Sequence, residues 1–268
     1  MAGSTRVVVV MTSHRVGVAI LAGLVAVGTA APWLAPGDPF AMSAPPLRPP
    51  SAEHVFGTDD LGRDVYSGVV HGARTSLAVG LAAAGLAGLL GLVIGGVSAI
   101  RGGWIDQVLM RGTDFVQALP RFILIVTIVG LFGHQFGLIV LIIGLTEWPA
   151  TARLFRAHAM STLTRDFAFA ARAAGASQLG ILGRHVFPLA LPIMAAQISY
   201  HAGGAILVES GLSLLGLGDP SIMSWGTLLG AAQRFLRDAW WISLFPGIAI
   251  TMTVLGCNLV ADGFSRRP

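Results

Sequence analysis

Residues 75–100 read T-S-L-A-V-G-L-A-A-A-G-L-A-G-L-L-G-L-V-I-G-G-V-S-A-I, without a formal charge between Arg74 and Arg101. As a helix rising about 1.5 Å per residue, this run crosses roughly 30 Å of hydrocarbon. A helix on a soluble protein would carry a charged face opposite its apolar stripe. This one has none, so its surroundings are lipid or other buried helices. Gly80, Ala84 and Gly88, then Gly91 and Gly95, set small residues four apart. That spacing lets backbones approach closely and puts the helix inside a bundle.

The remainder of the chain is of the same kind. Of 268 residues, 54% are hydrophobic and only 11% charged, against about 25% charged in an average soluble domain. So few charges cannot cover so much apolar surface, which excludes a soluble globule. Four more charge-free gaps are long enough to span: 16–37, 122–146, 185–208 and 239–261. Around 122–146 the apolar run extends from 113 to 153, too long for one helix. Gly133-His134-Gln135 interrupts it, so it divides into helices over 113–132 and 136–153 joined by a tight turn. The count becomes six. Gly28-Thr29-Ala30-Ala31 faintly resembles a cleavage site, but the run exceeds a signal core of about 7–15 residues and Pro32 follows at once. Residues 16–37 are read as an uncleaved helix.

Arginine placement orients the bundle. Arg6 and Arg15 precede the first span, Arg101 and Arg111 flank a short loop near 101–111, and Arg266 and Arg267 end the chain. Segment 153–184 holds Arg153, Arg156, Arg165, Arg172 and Arg184 against Asp166 alone. Segment 38–72 is acidic, with Asp38, Glu53, Asp59, Asp60 and Asp64. Six spans with both termini cytoplasmic put each basic segment inside and 38–72 outside. The organisation is then a cytoplasmic tail 1–15, a first helix 16–37, an extracytoplasmic segment 38–72, a core 73–264 with a cytoplasmic segment 154–187, and a tail 265–268. The chain is an all-α integral membrane protein. Pro120, Pro149, Pro188, Pro192 and Pro246 are expected to bend helices near their ends, and Pro149 to kink the fourth span.

All 17 basic residues are Arg. Without Lys there is no G-x-x-x-x-G-K-S/T phosphate loop and no lysine Schiff base. Any ATP-driven work needs another chain to bind the nucleotide, so no cofactor is expected here. Cys257 is the only cysteine, which excludes an internal disulfide. A basic excess set by membrane topology implies contact with lipid and no nucleic acid.

The stretch Arg165-Asp166-Phe167-Ala168-Phe169-Ala170-Ala171-Arg172-Ala173-Ala174-Gly175-Ala176-Ser177 predicts a helix to Ala174, a break at Gly175 and a second short helix from Ser177 to about Arg184. Alanines at the contact positions and Gly at the elbow make a compact protrusion that another protein could cover. Ala170-Ala171-x-x-x-Gly175 and Pro188 resemble the E-A-A-x3-G-x9-I-x-L-P motif of importer-type ABC permeases. Phe169 stands at the Glu of that motif, His185 at the Ile and Phe187 at the Leu. Gly57-Thr58-Asp59-Asp60-Leu61-Gly62-Arg63-Asp64, Gly72-Ala73-Arg74-Thr75-Ser76-Leu77 and Glu209-Ser210-Gly211-Leu212-Ser213-Leu214-Leu215-Gly216-Leu217-Gly218, followed by Ser224-Trp225-Gly226, are similar to stretches of the dipeptide, oligopeptide and nickel permeases, C-type subunit.

The resemblance implies the ABC importer type I permease fold in a bacterial inner membrane. It implies a B-type permease partner, cytoplasmic ATPase subunits or a fused ATPase that bind ATP and Mg, and an extracytoplasmic substrate-binding protein. Asp166, Phe169, Ala170, Ala171, Arg172, Gly175 and Pro188 would form the segment coupled to the ATPase. Asp59, Asp60, Arg63 and Asp64 are candidates for contact with the binding protein or the partner permease, unless 38–72 is a solvated loop. The implied solute is a dipeptide or short peptide, with oligopeptide or nickel as alternatives.

Glu147 and Glu209 are candidates for the translocation pathway. A carboxylate within the bilayer is costly unless paired or wet. Glu147 is open to three readings: it lines the cavity and meets a peptide amino group, it pairs with Arg121, or it sits near the aqueous boundary. Glu209 also suits a helix-packing role. His134, His185 and His201 show no metal spacing and read as interfacial residues. An intramembrane enzyme would need two facing carboxylates or a nucleophile with its base. No G-x-S-x-G accompanies the two glutamates. A lone secondary transporter or channel would need internal repeats or a filter, and neither is found.

Overall fold

The computed structural model describes residues 2–265, with side chains from Ser13 onward. The side chains of Arg6, Arg266 and Arg267 and the tail 266–268 lie outside the described residues. Helix α1 (Ala2–Thr29) is followed by a single turn, α2 (Ala31–Leu34). The first helix therefore stops at Thr29 rather than Gly37. Pro32 lacks the N–H that would continue the ladder, and the Thr29 hydroxyl folds back onto the Val25 carbonyl at 2.9 Å.

Helix α3 (Val65–Arg101) opens on Asp64, whose carboxylate accepts the Ser67 N–H at 2.8 Å, and ends where Gly102 and Gly103 adopt positive φ. The segment near 101–111 is not a loop, because α4 (Gly103–Ala118) begins there. The helix expected over 113–132 is broken. Between α4 and α5 (Arg121–Phe132) the axis turns by 79° at Leu119-Pro120. A residue before proline is pushed out of the α region, and Leu119 sits at ψ 137. Helix α6 (Phe136–Leu163) runs ten residues past the expected end at 153, with Pro149 inside it. It thereby absorbs the start of the 154–187 segment. Next come α7 (Asp166–Ala173), α8 (Gln178–Ile181), a π-turn over Leu182–Val186, and α9 (Phe187–Leu214). Helices α10 (Trp225–Ala232) and α11 (Trp241–Ser265) complete the chain.

Among the described residues, four helical runs are long and apolar enough to cross a membrane: Val65–Arg101, Phe136–Leu163, Gln178–Leu214 and Trp241–Ser265. The bent pair α4–α5 makes a fifth if counted as one span, and the apolar part of α1, Ser13–Thr29, is shorter than these.

The small residues of α3 do what their spacing implies. Gly91 and Gly95 abut Thr151 and Ala152 of α6, while Gly80 and Gly88 face Ala202 and Ile198 of α9. With α3 so wedged, Val79, Ala83, Ile125, Val129, Ile143, Ala205 and Leu212 close one buried core from four helices. Helix α1 lies outside on α11, Gly17 against Gly256. One end of the bundle carries residues 38–64, tied to α11 by the Trp241 indole N–H donating to Thr58 O at 3.1 Å. The same end carries α10, whose Trp225 indole donates to Val69 O at 2.9 Å. The opposite end carries α4, α7 and α8.

Candidate functional site: a protruding elbow and an ionic cavity

The α7–α8 elbow is built by its termination signals. At the end of α7 the Ala176 N–H bonds Ala171 O and the Gly175 N–H bonds Arg172 O, each at 2.9 Å. This pair of bonds is the Schellman arrangement, and it requires the left-handed φ of +87° found at Gly175. Ser177 then caps α8 by accepting the Gly180 N–H at 3.1 Å. Asp166, Phe169, Ala170, Arg172 and Pro188 are exposed, Ala171 is partly covered, and Ala168 on the inner face is fully buried. Arg172 donates to Leu163 O at 2.9 Å, the last residue of α6, and to Ala168 O within α7 at 3.1 Å. Its guanidinium also lies 4.4 Å from the Phe169 ring centroid.

A second feature lies in the bundle. Glu147 of α6, 1% exposed, takes Arg121 Nη2 on Oε1 at 2.7 Å. Arg121 opens α5 at the elbow with α4, and its side chain is 38% exposed. Both line a cavity of about 390 Å³ bounded also by α9 and α11. From α9, His201 Nδ1 faces Glu147 Oε2 at 3.3 Å without hydrogen-bond alignment, so Oε2 is buried with no donor. His201 Nε2 lies 3.0 Å from both Thr151 Oγ1 and Gln197 Nε2. If the Gln197 amide donates to Nε2, the imidazole proton sits on Nδ1, toward the carboxylate. Glu147 thus both lines a cavity and pairs with Arg121. His201 is not interfacial but buried, and its partner lies 54 positions away in sequence, beyond any local pattern.

Glu209 does not join this cavity. It is buried, its Oε1 accepts Ser224 Oγ at 2.8 Å and Ser213 Oγ at 3.1 Å, and it abuts Gly226 in the first turn of α10. The two glutamates therefore belong to separate networks, and neither faces the other as an enzyme's carboxylate pair would.

Residues 57–64 form a tight turn. Asp59 Oδ1 accepts the N–H groups of Leu61 at 2.9 Å and Arg63 at 2.8 Å. Burial pushes the Asp59 carboxyl above its usual range, against the lowering effect of those two bonds. Asp64 spends its oxygens on Ser67 N–H and on His54 Nδ1 at 2.9 Å. Asp60 and Arg63 line a second cavity, of about 560 Å³, and Arg63 lies 5.2 Å from the Phe40 ring centroid. Two ion pairs that composition does not reveal fasten α4 to α6: Asp106 with Arg156, Nε to Oδ1 at 2.6 Å, and Asp114 with Arg153.

Residues 88–267 match the family described as binding-protein-dependent transport system inner membrane component. Similar relatives carry the names of permease proteins. One is a peptide transport system permease of Brucella suis, 39% identical over 94% of this chain and 85% of its own. Another is the D,D-dipeptide transport system permease DdpC of Escherichia coli, 35% identical over 87% and 78%. A third is the dipeptide transport system permease DppC of Alkalihalophilus pseudofirmus, 36% identical over 92% and 82%.

Proposed function

Since the chain belongs to the binding-protein-dependent transport system inner membrane components, we propose that it forms half of the translocation pathway for dipeptides or other short peptides, beside a B-type permease. As a member of that family it is a permease of the inner membrane and not an enzyme, and it works with an ATPase and a substrate-binding protein. The names of the relatives support the peptide solute over nickel.

In this proposal the chain crosses the membrane six times in the type I importer fold, with both termini cytoplasmic. The position of His14 beside Gly263 supports this, since it brings α1 near its start and α11 near its end to one end of the bundle, the end that carries α7 and α8. The elbow 166–181 seats on the ATPase, which supplies the site for ATP and Mg. Closure of the ATPase pulls that elbow and biases the bundle between two packings. Residues 38–64 face outward, with Asp60 and Arg63 toward the binding protein or the partner permease. The Arg121–Glu147 cavity lies on the solute's route, while Glu209 holds α9 to α10.

The observation that carries the coupling role is the exposed elbow itself, terminated by Gly175 at positive φ and bonded back to α6 through Arg172. Gly175→Trp tests it. The complex should still assemble, and solute-stimulated ATP hydrolysis should vanish. Normal stimulated hydrolysis in that variant refutes the role.

A further inference from the structure

Resting on the reading that the Arg121–Glu147 cavity lies on the route, we propose that Arg121 is the transit receptor for the carboxylate terminus of the solute. Glu147 is then an internal carboxylate that holds the guanidinium in place until a solute's carboxylate takes it.

The asymmetry of the pair argues for this. A buried ion pair kept only for structure repays its desolvation when the polar atoms of both partners are satisfied. Here the carboxylate is 1% exposed and the guanidinium 38%. The open partner is the cation, so an incoming anion can reach its counter-charge while an incoming ammonium cannot reach Glu147. The planar guanidinium fork matches a carboxylate, and it meets Glu147 through Nη2.

The backbone adds to the same field. Arg121 is the first residue of the 12-residue α5, and Pro120 before it supplies no side-chain cap. The amides of that first turn and the positive end of the helix dipole favour an anion there. Among the described residues, Glu147 and Arg121 are the only formally charged ones lining the cavity. Gln117, Gln197, Asn258 and Tyr200 supply the amide and phenol groups suited to a peptide main chain.

The exchange also needs a fallback for Glu147, because a buried carboxylate stripped of its partner is costly. His201 provides one. Its Nδ1 already stands 3.3 Å from the oxygen that lacks a donor, Oε2. A small rotation of the carboxylate closes that bond as Arg121 turns to the solute. The unpaired oxygen is thus the vacant half of a two-position switch.

The test uses proteoliposomes holding this chain with its partner permease, ATPases and binding protein, and measures ATP-driven uptake of L-alanyl-L-alanine and of its C-terminal amide. The binding protein is unchanged throughout, so differences between variants report this chain. Glu147→Gln frees Arg121, whereas R121Q/E147Q removes the receptor with Glu147 absent from both. Dialanine uptake should fall about ten-fold from the first variant to the second. Uptake of the amide should differ between them by less than about two-fold. Equal dialanine uptake in the two variants overturns the proposal. If R121Q/E147Q does not assemble, R121K/E147Q keeps the charge without the fork and should lose about three-fold against Glu147→Gln; equality again overturns it. Gly204→Phe fills the cavity. Unimpaired uptake in that variant overturns the route itself, a result distinct from indifference to Arg121. A wild-type complex that takes up neither probe overturns the peptide terminus as ligand.

Discussion

The guanidinium of Arg172 covers the ring of Phe169 at 4.4 Å, one turn apart on the exposed α7. This contact orients Arg172 toward Leu163 O, and that bond ties the elbow to the end of α6. Phe169→Ala should leave the fold intact, since an exposed cation–π contact contributes about 0.5–1 kcal/mol. Solute-stimulated ATP hydrolysis should nonetheless drop several-fold, because Arg172 loses its guide. Phe169→Glu supplies an ionic guide instead and should recover most of the loss. The comparison is an ATPase assay on the reconstituted complex, and equal rates in the alanine variant and wild type would count against it.

A second expectation concerns the seam between α3 and α6. A Cβ at Gly91 would run into Thr151, whereas one at Gly85, six residues earlier on the same helix and exposed, meets nothing within 4 Å. Gly91→Leu should therefore cost about 3 kcal/mol or more through forced separation of the helices. Gly85→Ala should be neutral or slightly stabilising, since glycine in a helix interior is itself unfavourable by about 0.5–1 kcal/mol. Thermal unfolding in detergent separates the two.

That contrast shows which parts of the fold were legible in the sequence. The ladder of small residues and the long charge-free runs act along one helix, so α3, α9 and α11 could be read directly. The Gly175 break was equally local. The break at Leu119-Pro120 was half legible: Pro120 announces a bend, but not that it falls inside 113–132 and divides it into α4 and α5. The proline alone marked it, by excluding Leu119 from helical ψ. The cavity was half legible. A charge in an apolar run singles out Glu147 and suggests Arg121, but His201 enters from another helix. Its role depends on the register of α9 against α6, which no periodicity encodes. The Asp106–Arg156 and Asp114–Arg153 pairs were hidden likewise, since the bend at Gly102-Gly103 folds α4 back along α6.

Those pairs give a third expectation. Arg156 grips Asp106 through two nitrogens, and Ser98 of α3 donates to the same carboxylate. Three helices meet in one charge-assisted network, so the residues should be non-additive. A double-mutant cycle of Asp106→Ala and Arg156→Ala should give a coupling of about 1–3 kcal/mol. The same cycle on Asp114 and Arg153, both about half exposed, should give less than about 1 kcal/mol. Equal couplings would mean that burial does not set the strength of these pairs.

The fourth expectation is a pair of opposite pH slopes at the end of the bundle that carries residues 38–64. Burial opposes ionisation of Asp219, but the Ser221 hydroxyl and the N–H groups of Phe136 and Ser221 outweigh it and hold its carboxyl below the usual range. A carboxyl depressed by folding contributes stability above its unfolded pKa of about 3.9, and that contribution fades as pH falls through the depressed folded value. Asp59 is the reverse case. Burial raises it, so its contribution is full below about pH 3.9 and is lost as pH rises through the raised value. Asp219→Asn should therefore lower the melting temperature at neutral pH and flatten its acid-side fall. Asp59→Asn should hold or raise the melting temperature at neutral pH, because both hydrogen bonds to that side chain end on the single oxygen Oδ1, which an amide retains. Melting curves of the two variants from about pH 8 to about pH 3 decide the matter. A destabilised Asp59→Asn at neutral pH would show that its charge, and not its acceptor oxygen, holds the 57–64 turn.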